Sequence, residues 1–419
     1  MKLFQQMLVA GATVSLFAPI TAQASDVVNL EELSNYSRSN NKQSSRLDSK
    51  TFINEVSEDL AILKGRVDGL EVKQNEFEAG GFSDTTVLDG KAIFDVGSVD
   101  TDDDTYTGET QFMYTYTMNL NTSFTGDDNL YTRIKTGNHS SWSKTKSVYN
   151  TYLSSGNGNG DTLKVDKLWY TTPIGNSNHT VTIGPKIENY YMHATTPSIY
   201  QPVLKAFTLG GNGAGYGAST SPGAGWAYTA DNGFAISSNV TSKNPVLTDQ
   251  AKQSWATQIG YTQPNYSVSA LVNMKYNGWT DSYFMSTDGK ARSGDGNSTN
   301  VGLRAWWRPT DAETAIPSIS VGYDTSETDA SSNSNTTAYF VGLNWTDVFN
   351  ADDKIGLAFG QPQMVEGETI EPFLYELYYK YKVNDSISVT PTIFGGTSKN
   401  SSDVETDMTG YLLQTTFKF

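Results

Sequence analysis

From Phe112 to Leu120 the apolar residues Phe112, Tyr114, Tyr116, Met118 and Leu120 take every second place, with Gln111, Thr115, Thr117, Asn119 and Asn121 between and around them. A period of two sends successive side chains to opposite faces of a strand, so one face meets an apolar medium and the other meets water. The same alternation returns in Trp255-Thr257-Ile259-Tyr261, Val301-Leu303-Ala305-Trp307, Phe373-Tyr375-Leu377-Tyr379-Tyr381 and Tyr411-Leu413-Thr415-Phe417-Phe419. Each run is about 9–11 residues long, the length with which a tilted strand crosses a bilayer.

The connections decide what these strands build. Strands are expected to start near Thr86, Gln111, Leu130, Leu163, Thr180, Gly225, Phe234, Ser254, Tyr266, Val301, Ile319, Ala338, Lys354, Phe373, Ser386 and Tyr411, which makes about 16. Short links such as TGDDN, TADNG, QPN and VND alternate with long polar ones such as 98–109 and 277–298. A soluble sandwich has no reason to sort its loops this way; a bacterial outer-membrane barrel does. The fold class expected is therefore an all-β transmembrane barrel over residues 82–419, with about 16 antiparallel strands. Lipid leaves no partner for a free backbone N–H or C=O, so the sheet must close on itself. Tyr228, Tyr261, Tyr276, Trp307, Tyr323 and Trp345 fall at strand ends, where aromatic girdles belong. The final run, with Tyr411, Leu413, Phe417 and Phe419 on its apolar face, is expected to pair with the first strand and close the barrel.

Ahead of the barrel the period changes. Residues 1–24 have Lys2, an apolar stretch from Leu8 to Ile20 and the small-residue site Ala22-Gln23-Ala24, the parts of a secretory signal. Residues 25–51 are polar and without a period. Over 52–79 the positions Ile53, Val56, Leu60, Leu63, Val67, Leu70 and Phe77 repeat at alternating threes and fours, a coiled-coil seam. The barrel is thus preceded by a short N-terminal coiled-coil helix, placed in the periplasm. Gly65 and Gly69 each weaken that helix by about 1 kcal/mol relative to Ala, so a partner chain is needed to bury the seam. The same spacing also suits one amphipathic helix packed on the next domain.

Charge and chemistry exclude several classes. The net charge of −16 repels nucleic acid. Aromatics reach 12 %, too many for a disordered chain, and the only long apolar run lies in the leader, which excludes a bundle of membrane helices. There is no cysteine, and His139, His179 and His193 have no paired ligand spacing, so no catalytic site, metal or cofactor is expected. Asp100, Asp102, Asp103 and Asp104 lack the glycine of an EF-hand and read as a solvated acidic loop, bridged by cations to lipopolysaccharide.

A 16-stranded barrel encloses an aqueous channel. Its third long loop, about 188–222, is the longest and most apolar, carrying Tyr190, Tyr191, Tyr200, Val203, Leu204, Phe207 and Leu209. Folding it back into the lumen buries those residues and narrows the pore; a lid or a trimer contact would bury them too. Strand parity turns Lys91, Arg133, Lys135, Lys275 and Arg304 inward, with Lys205 supplied by the third loop. With Tyr190 and Tyr191 these are the candidate constriction residues. They make a basic eyelet that favours anions.

The stretch ILKGRVDGLEVKQNEFEAGGFSDTTVLDGKAIFDVG (62–97) resembles the junction between coil and first strand of cyanobacterial outer-membrane porins, which belong with the carbohydrate-selective, OprB-type porins and are often called iron-uptake porins. LWYTTPIGNSNHTVTIGPK (168–186) and the terminal YLLQTTFKF are similar to the same family. The resemblance covers roughly 52–419. It implies a homotrimer in the outer membrane, in contact with lipid and lipopolysaccharide, passing inorganic ions, iron or sugars. Such porins commonly carry an S-layer-homology domain before the coil. Here only 25–51 stands in its place, which leaves at most a weak cell-wall contact. The opposing reading is a structural tether from outer membrane to cell wall with little conductance.

Overall fold

Sixteen strands follow one another, each antiparallel to the last, and the final strand pairs with the first. The structure is a computed structural model that describes residues 63–64, 67, 85–102, 108–139, 151–175, 178–211, 215–243, 245–246, 248–279, 296–310, 316–329, 335–399 and 404–419. The first eight strands are β1 (Thr86–Thr101), β2 (Gln111–Thr122), β3 (Asn129–Gly137), β4 (Lys164–Pro173), β5 (His179–Ile187), β6 (Ser221–Thr229), β7 (Phe234–Ser242) and β8 (Gln253–Gln263). The second eight are β9 (Tyr266–Tyr276), β10 (Ser298–Trp307), β11 (Ser318–Thr328), β12 (Asn335–Thr346), β13 (Lys354–Val365), β14 (Phe373–Lys382), β15 (Ile387–Lys399) and β16 (Glu405–Lys418).

Register confirms the two faces. Lys91 pairs with Thr117 and Thr117 with Lys135, so all three share the lumen side, whereas Phe94, Tyr114 and Phe417 lie together outside. The exposed apolar residues Phe94, Phe112, Trp255, Ile259, Leu303, Tyr323 and Leu377 fall on the outward face. That face is what a hydrocarbon layer must cover. At the seam Phe419 packs flat on Tyr116, and Phe94 packs on Phe417. Phe419 N donates to Gly90 O and Gly90 N to Phe419 O, so the ladder continues to the last residue.

Strand starts agree closely with the expected ones, with two instructive differences. β16 begins at Glu405 rather than Tyr411, and β1 runs on to Thr101. The pair Thr101–Met408 shows why: these two strands continue their ladder beyond the apolar band, where polar residues such as Asp100 and Asp407 replace the alternation. The short turns at one rim are set by buried-oxygen chemistry. Asp128 Oδ1 accepts from Phe124 N, Thr125 N and Ser123 Oγ. Asp353 does the same for Val348, Phe349 and Asn350. An aspartate that satisfies the backbone of its own turn fixes a tight reversal without help from the rest of the fold.

By contact density the chain divides into Met1–Val72 and Lys73–Phe419. In the first unit Leu63, Lys64 and Val67 are helical. The leader, the polar segment and the seam positions Ile53, Val56, Leu60 and Leu70 lie outside the described residues, as does Phe77 ahead of the barrel.

Candidate constriction and lumen

The third long loop, between β5 and β6, runs inside the barrel. It carries short 3-10 turns at Asn189–Met192 and Lys205–Gly210. Inward side chains of seven strands catch its backbone and side chains in turn. Asn189 Nδ2 donates to Asn239 Oδ1 (2.8 Å) of β7, Thr195 N to Gln258 Oε1 (3.0 Å) of β8, and Asn273 Nδ2 of β9 to Gly215 O (2.9 Å). Trp306 Nε1 of β10 donates to Thr196 O, Ile199 N to Ser320 Oγ of β11, and Gln201 N to Asn344 Oδ1 of β12. Glu376 of β14 closes the series: its carboxyl group accepts from Tyr200 Oη (2.8 Å), Val203 N (3.1 Å) and Leu204 N (2.6 Å).

Beneath these polar ties lies an apolar core inside the barrel. Tyr200, Val203, Leu204 and Phe207 pack with the inward residues Phe340, Tyr378, Phe394 and Leu412. The inner wall is therefore not uniformly polar; it is apolar where the loop lies on it. The second long loop adds to the plug, with Ser154 N donating to Val203 O and Lys205 N to Tyr152 O, both at 2.7 Å. It is pinned to the wall by His139, whose Nε2 lies 2.9 Å from Asp95 Oδ2, while Gln414 Nε2 donates to the other Asp95 oxygen. The loop turns away at Gly210 and Gly211, with φ of +75° and +100°. A Cβ there would collide with Arg304 and Phe340. Gly210 and Gly211 thus meet both demands, close approach to the wall and a left-handed backbone.

The eight candidate constriction residues separate into two groups. Arg133, Lys135, Lys91, Lys205, Tyr190 and Tyr191 come together on one side. Arg133 Nε and Nη2 grip Asp166 at 2.8 and 2.6 Å, and its Nη1 reaches Tyr191 Oη at 3.3 Å. Lys135 is close enough to Arg133, Lys205 and Lys91 to interact electrostatically with each. Arg304 and Lys275 face inward as parity requires, yet each is only 3 % exposed and neither lines open water. Arg304 donates to Leu209 O (2.8 Å), pairs with Asp324 (2.8 Å) and stacks on Tyr216, so it holds the third loop. The correction has a physical cause: parity reports which face a residue takes, and a loop laid on that face then decides whether water reaches it.

The lumen also contains residues that the sequence reading passed over. A β-bulge in β4, opposite Arg133 and Ile134, lets Asp166 and Lys167 both turn toward the channel. Lys167 pairs with Glu188 at 2.8 Å and also meets Thr220. Tyr131 and Trp169 are inward on β3 and β4, and with Tyr191 and Tyr190 they form a continuous row of rings. Successive centroids are 4.4, 4.7 and 4.3 Å apart. Extending strand parity from Arg133 to Tyr131 would have found the first of these; the bulge hides the second. Of the other histidines, His179 faces outward and accepts from Trp226 Nε1. His193 lies in the third loop, and burial pushes its imidazole down to about 3, so it stays neutral.

The model of the carbohydrate-selective porin family, OprB, matches residues 45–395. The chain belongs to that family. An uncharacterized protein of Nostoc sp., alr4550, is 26% identical over 409 residues, which cover 87% of this chain and 71% of that protein. A second, sll0772 of Synechocystis sp., is 25% identical over 396 residues, 82% of this chain and 70% of the other. Among solved structures, OprB of Pseudomonas putida at high pH superposes with a TM-score of 0.59 at 12% identity, covering 84% of this chain and 97% of its own. As an OprB-family porin the chain is an outer-membrane protein, and the family is one of transport channels. The inward third loop, the paired Arg133 and the aromatic row all lie on the lumen side of the barrel.

Proposed function

We propose that this porin passes small hydrophilic solutes, sugars among them, through the gap between the third loop and the wall of β1–β5. The row Tyr131–Trp169–Tyr191–Tyr190 beside the bidentate Arg133–Asp166 pair carries the proposal. A pyranose ring has an apolar face that stacks on aromatic rings and a rim of hydroxyls that needs donors and acceptors. Tyr191 is exposed at the edge of the row, and Arg133 and Asp166 supply the polar partners. Inorganic ions and small iron complexes would pass the same water-filled gap by size. The heptad seam over 52–79 supports a homotrimer whose coils associate, with the signal removed on export and the short-turn rim facing the periplasm.

Planar bilayers and liposome swelling test this reading. The purified protein should give steady ohmic current in KCl and admit monosaccharides into liposomes. A folded protein that carries no current would instead favour the tether.

A further inference from the structure

Near the short-turn rim, below the third loop, four lysines point into the lumen from β13, β14, β16 and β1. Lys354 stands directly opposite Lys380, and Lys418 directly opposite Lys91. Like charges placed across from one another on neighbouring strands weaken a sheet. The four also act on one another as a group: Lys380 feels Lys418, Lys354 and Lys91. Among the described residues none of the four has an ion-pair partner. Asp89, the inward carboxylate two residues from Lys91, is taken by Asn119 (2.6 Å) and Asn121 (3.0 Å). Asp352 and Asp347, turn carboxylates whose charge reaches Lys354, lie beyond ion-pair distance of it, and Asp352 is taken by Lys382 at 2.6 Å.

Other lumen cations are treated differently. Arg133 has Asp166, Lys167 has Glu188, and Arg304 has Asp324. The chain has 45 acidic residues against 29 basic ones, so carboxylates are plentiful, and a quartet of lysines left facing water goes against that composition. Lys91 and Lys418 are exposed to the channel, and Lys354 and Lys380 are half-buried, with Lys354 Nζ 3.4 Å from Gln201 Oε1 of the third loop. On β15, between the two pairs, the inward positions are Ser388 and Thr390, hydroxyl residues that add hydrogen-bond donors.

We infer that Lys91, Lys354, Lys380 and Lys418 form a binding site for a multiply charged tetrahedral oxyanion, a phosphate group either free or on a small sugar. A compact anion of charge two or more, accepting hydrogen bonds on every side, relieves the repulsion between the pairs in a way that chloride does only weakly. Lysine rings serve this purpose in pores because each ammonium is a mobile point charge. The inference rests on an open channel, and it names a solute class for the passage proposed above.

The test is single-channel recording in KCl with inorganic phosphate or glucose 6-phosphate added in the millimolar range from the short-turn side. The wild-type channel is expected to show concentration-dependent interruptions of the chloride current with at least one of them. The double variant Lys354→Gln/Lys380→Gln should need about tenfold more anion for the same interruption, because half the site charge is gone. Interruption by inorganic phosphate alone assigns the site to the free anion, and by the ester alone to a phosphorylated sugar. A normal chloride current that neither anion disturbs overturns the site while leaving the channel intact. Interruption that is equal in the double variant overturns its location. A protein with no chloride current at all overturns the channel, and the site with it.

Discussion

Two stretches of the same inner wall, both rich in ionic side chains, use them in opposite ways. Under the third loop, Arg304, Asp324 and Glu376 are buried and hydrogen-bonded to the loop or to the wall. Toward the short-turn rim, Lys91, Lys354, Lys380 and Lys418 face water and one another. In the first region charge fastens the loop. In the second it is left free to act on what passes. The difference is one of covering, since both sets occupy inward strand positions.

Removing Arg304 should do the most damage. Arg304→Ala leaves Asp324 as a buried, unpaired carboxylate, a loss of about 3–5 kcal/mol. Urea unfolding in detergent micelles measures it, and a loss under 1 kcal/mol would place Arg304 in open water after all. Next comes Glu376→Leu, which strands the Tyr200 hydroxyl and two loop amides at about 1–3 kcal/mol in all, because the freed loop tip can lift into water. Its channels should be noisier and larger in conductance as the loop tip leaves the wall; a quiet channel of unchanged size would contradict the anchoring role.

Smaller effects sharpen the other side. Trp169→Ala breaks the row of rings and should weaken sugar-dependent interruptions of the current about tenfold, with stability little changed. Lys380→Gln should be neutral or stabilising by about 0.5 kcal/mol, because it relieves an opposed like-charge pair. A clear destabilisation would mean that Lys380 is structural, as Arg304 is. The turn aspartate Asp353 gives the smallest signal. Enclosure favours its neutral form, but hydrogen bonds from Tyr379 and from the amides of Asn350, Phe349 and Val348 outweigh it and hold the carboxyl below the usual range. A lowered folded value contributes stability above the unfolded value of about 3.9, lost as pH falls through the folded one. The unfolding midpoint of the wild type should therefore drop more steeply below pH 4 than that of Asp353→Asn.

The period of two was enough to read the barrel, its parity and nearly every strand start, because a strand between lipid and water has no choice about which residues face where. The constriction was legible only in part. An apolar loop in a wet barrel announces that it must be buried, and Tyr190, Tyr191, Tyr200 and Phe207 were readable on that ground. What hid Arg304 was a contact between residues 95 positions apart, with Leu209, for which alternation carries no signal. The β4 bulge hid Asp166 and Trp169 for a related reason: one extra residue shifts the parity on which the reading depends. Lys354, Lys380 and Lys418 sat at inward positions throughout, but their grouping depends on the residue-by-residue register of β13 with β14 and of β16 with β1, which alternation alone does not give.

Lys91, Lys354, Lys380 and Lys418 bring basic charge to the lumen's water although the chain as a whole is acidic at −16. The zero-current potential of the wild-type channel in a tenfold KCl gradient tests it most directly. The potential should carry the sign of chloride selectivity and move toward zero in Lys354→Gln/Lys380→Gln. A potential of the cation-selective sign in the wild type would contradict it.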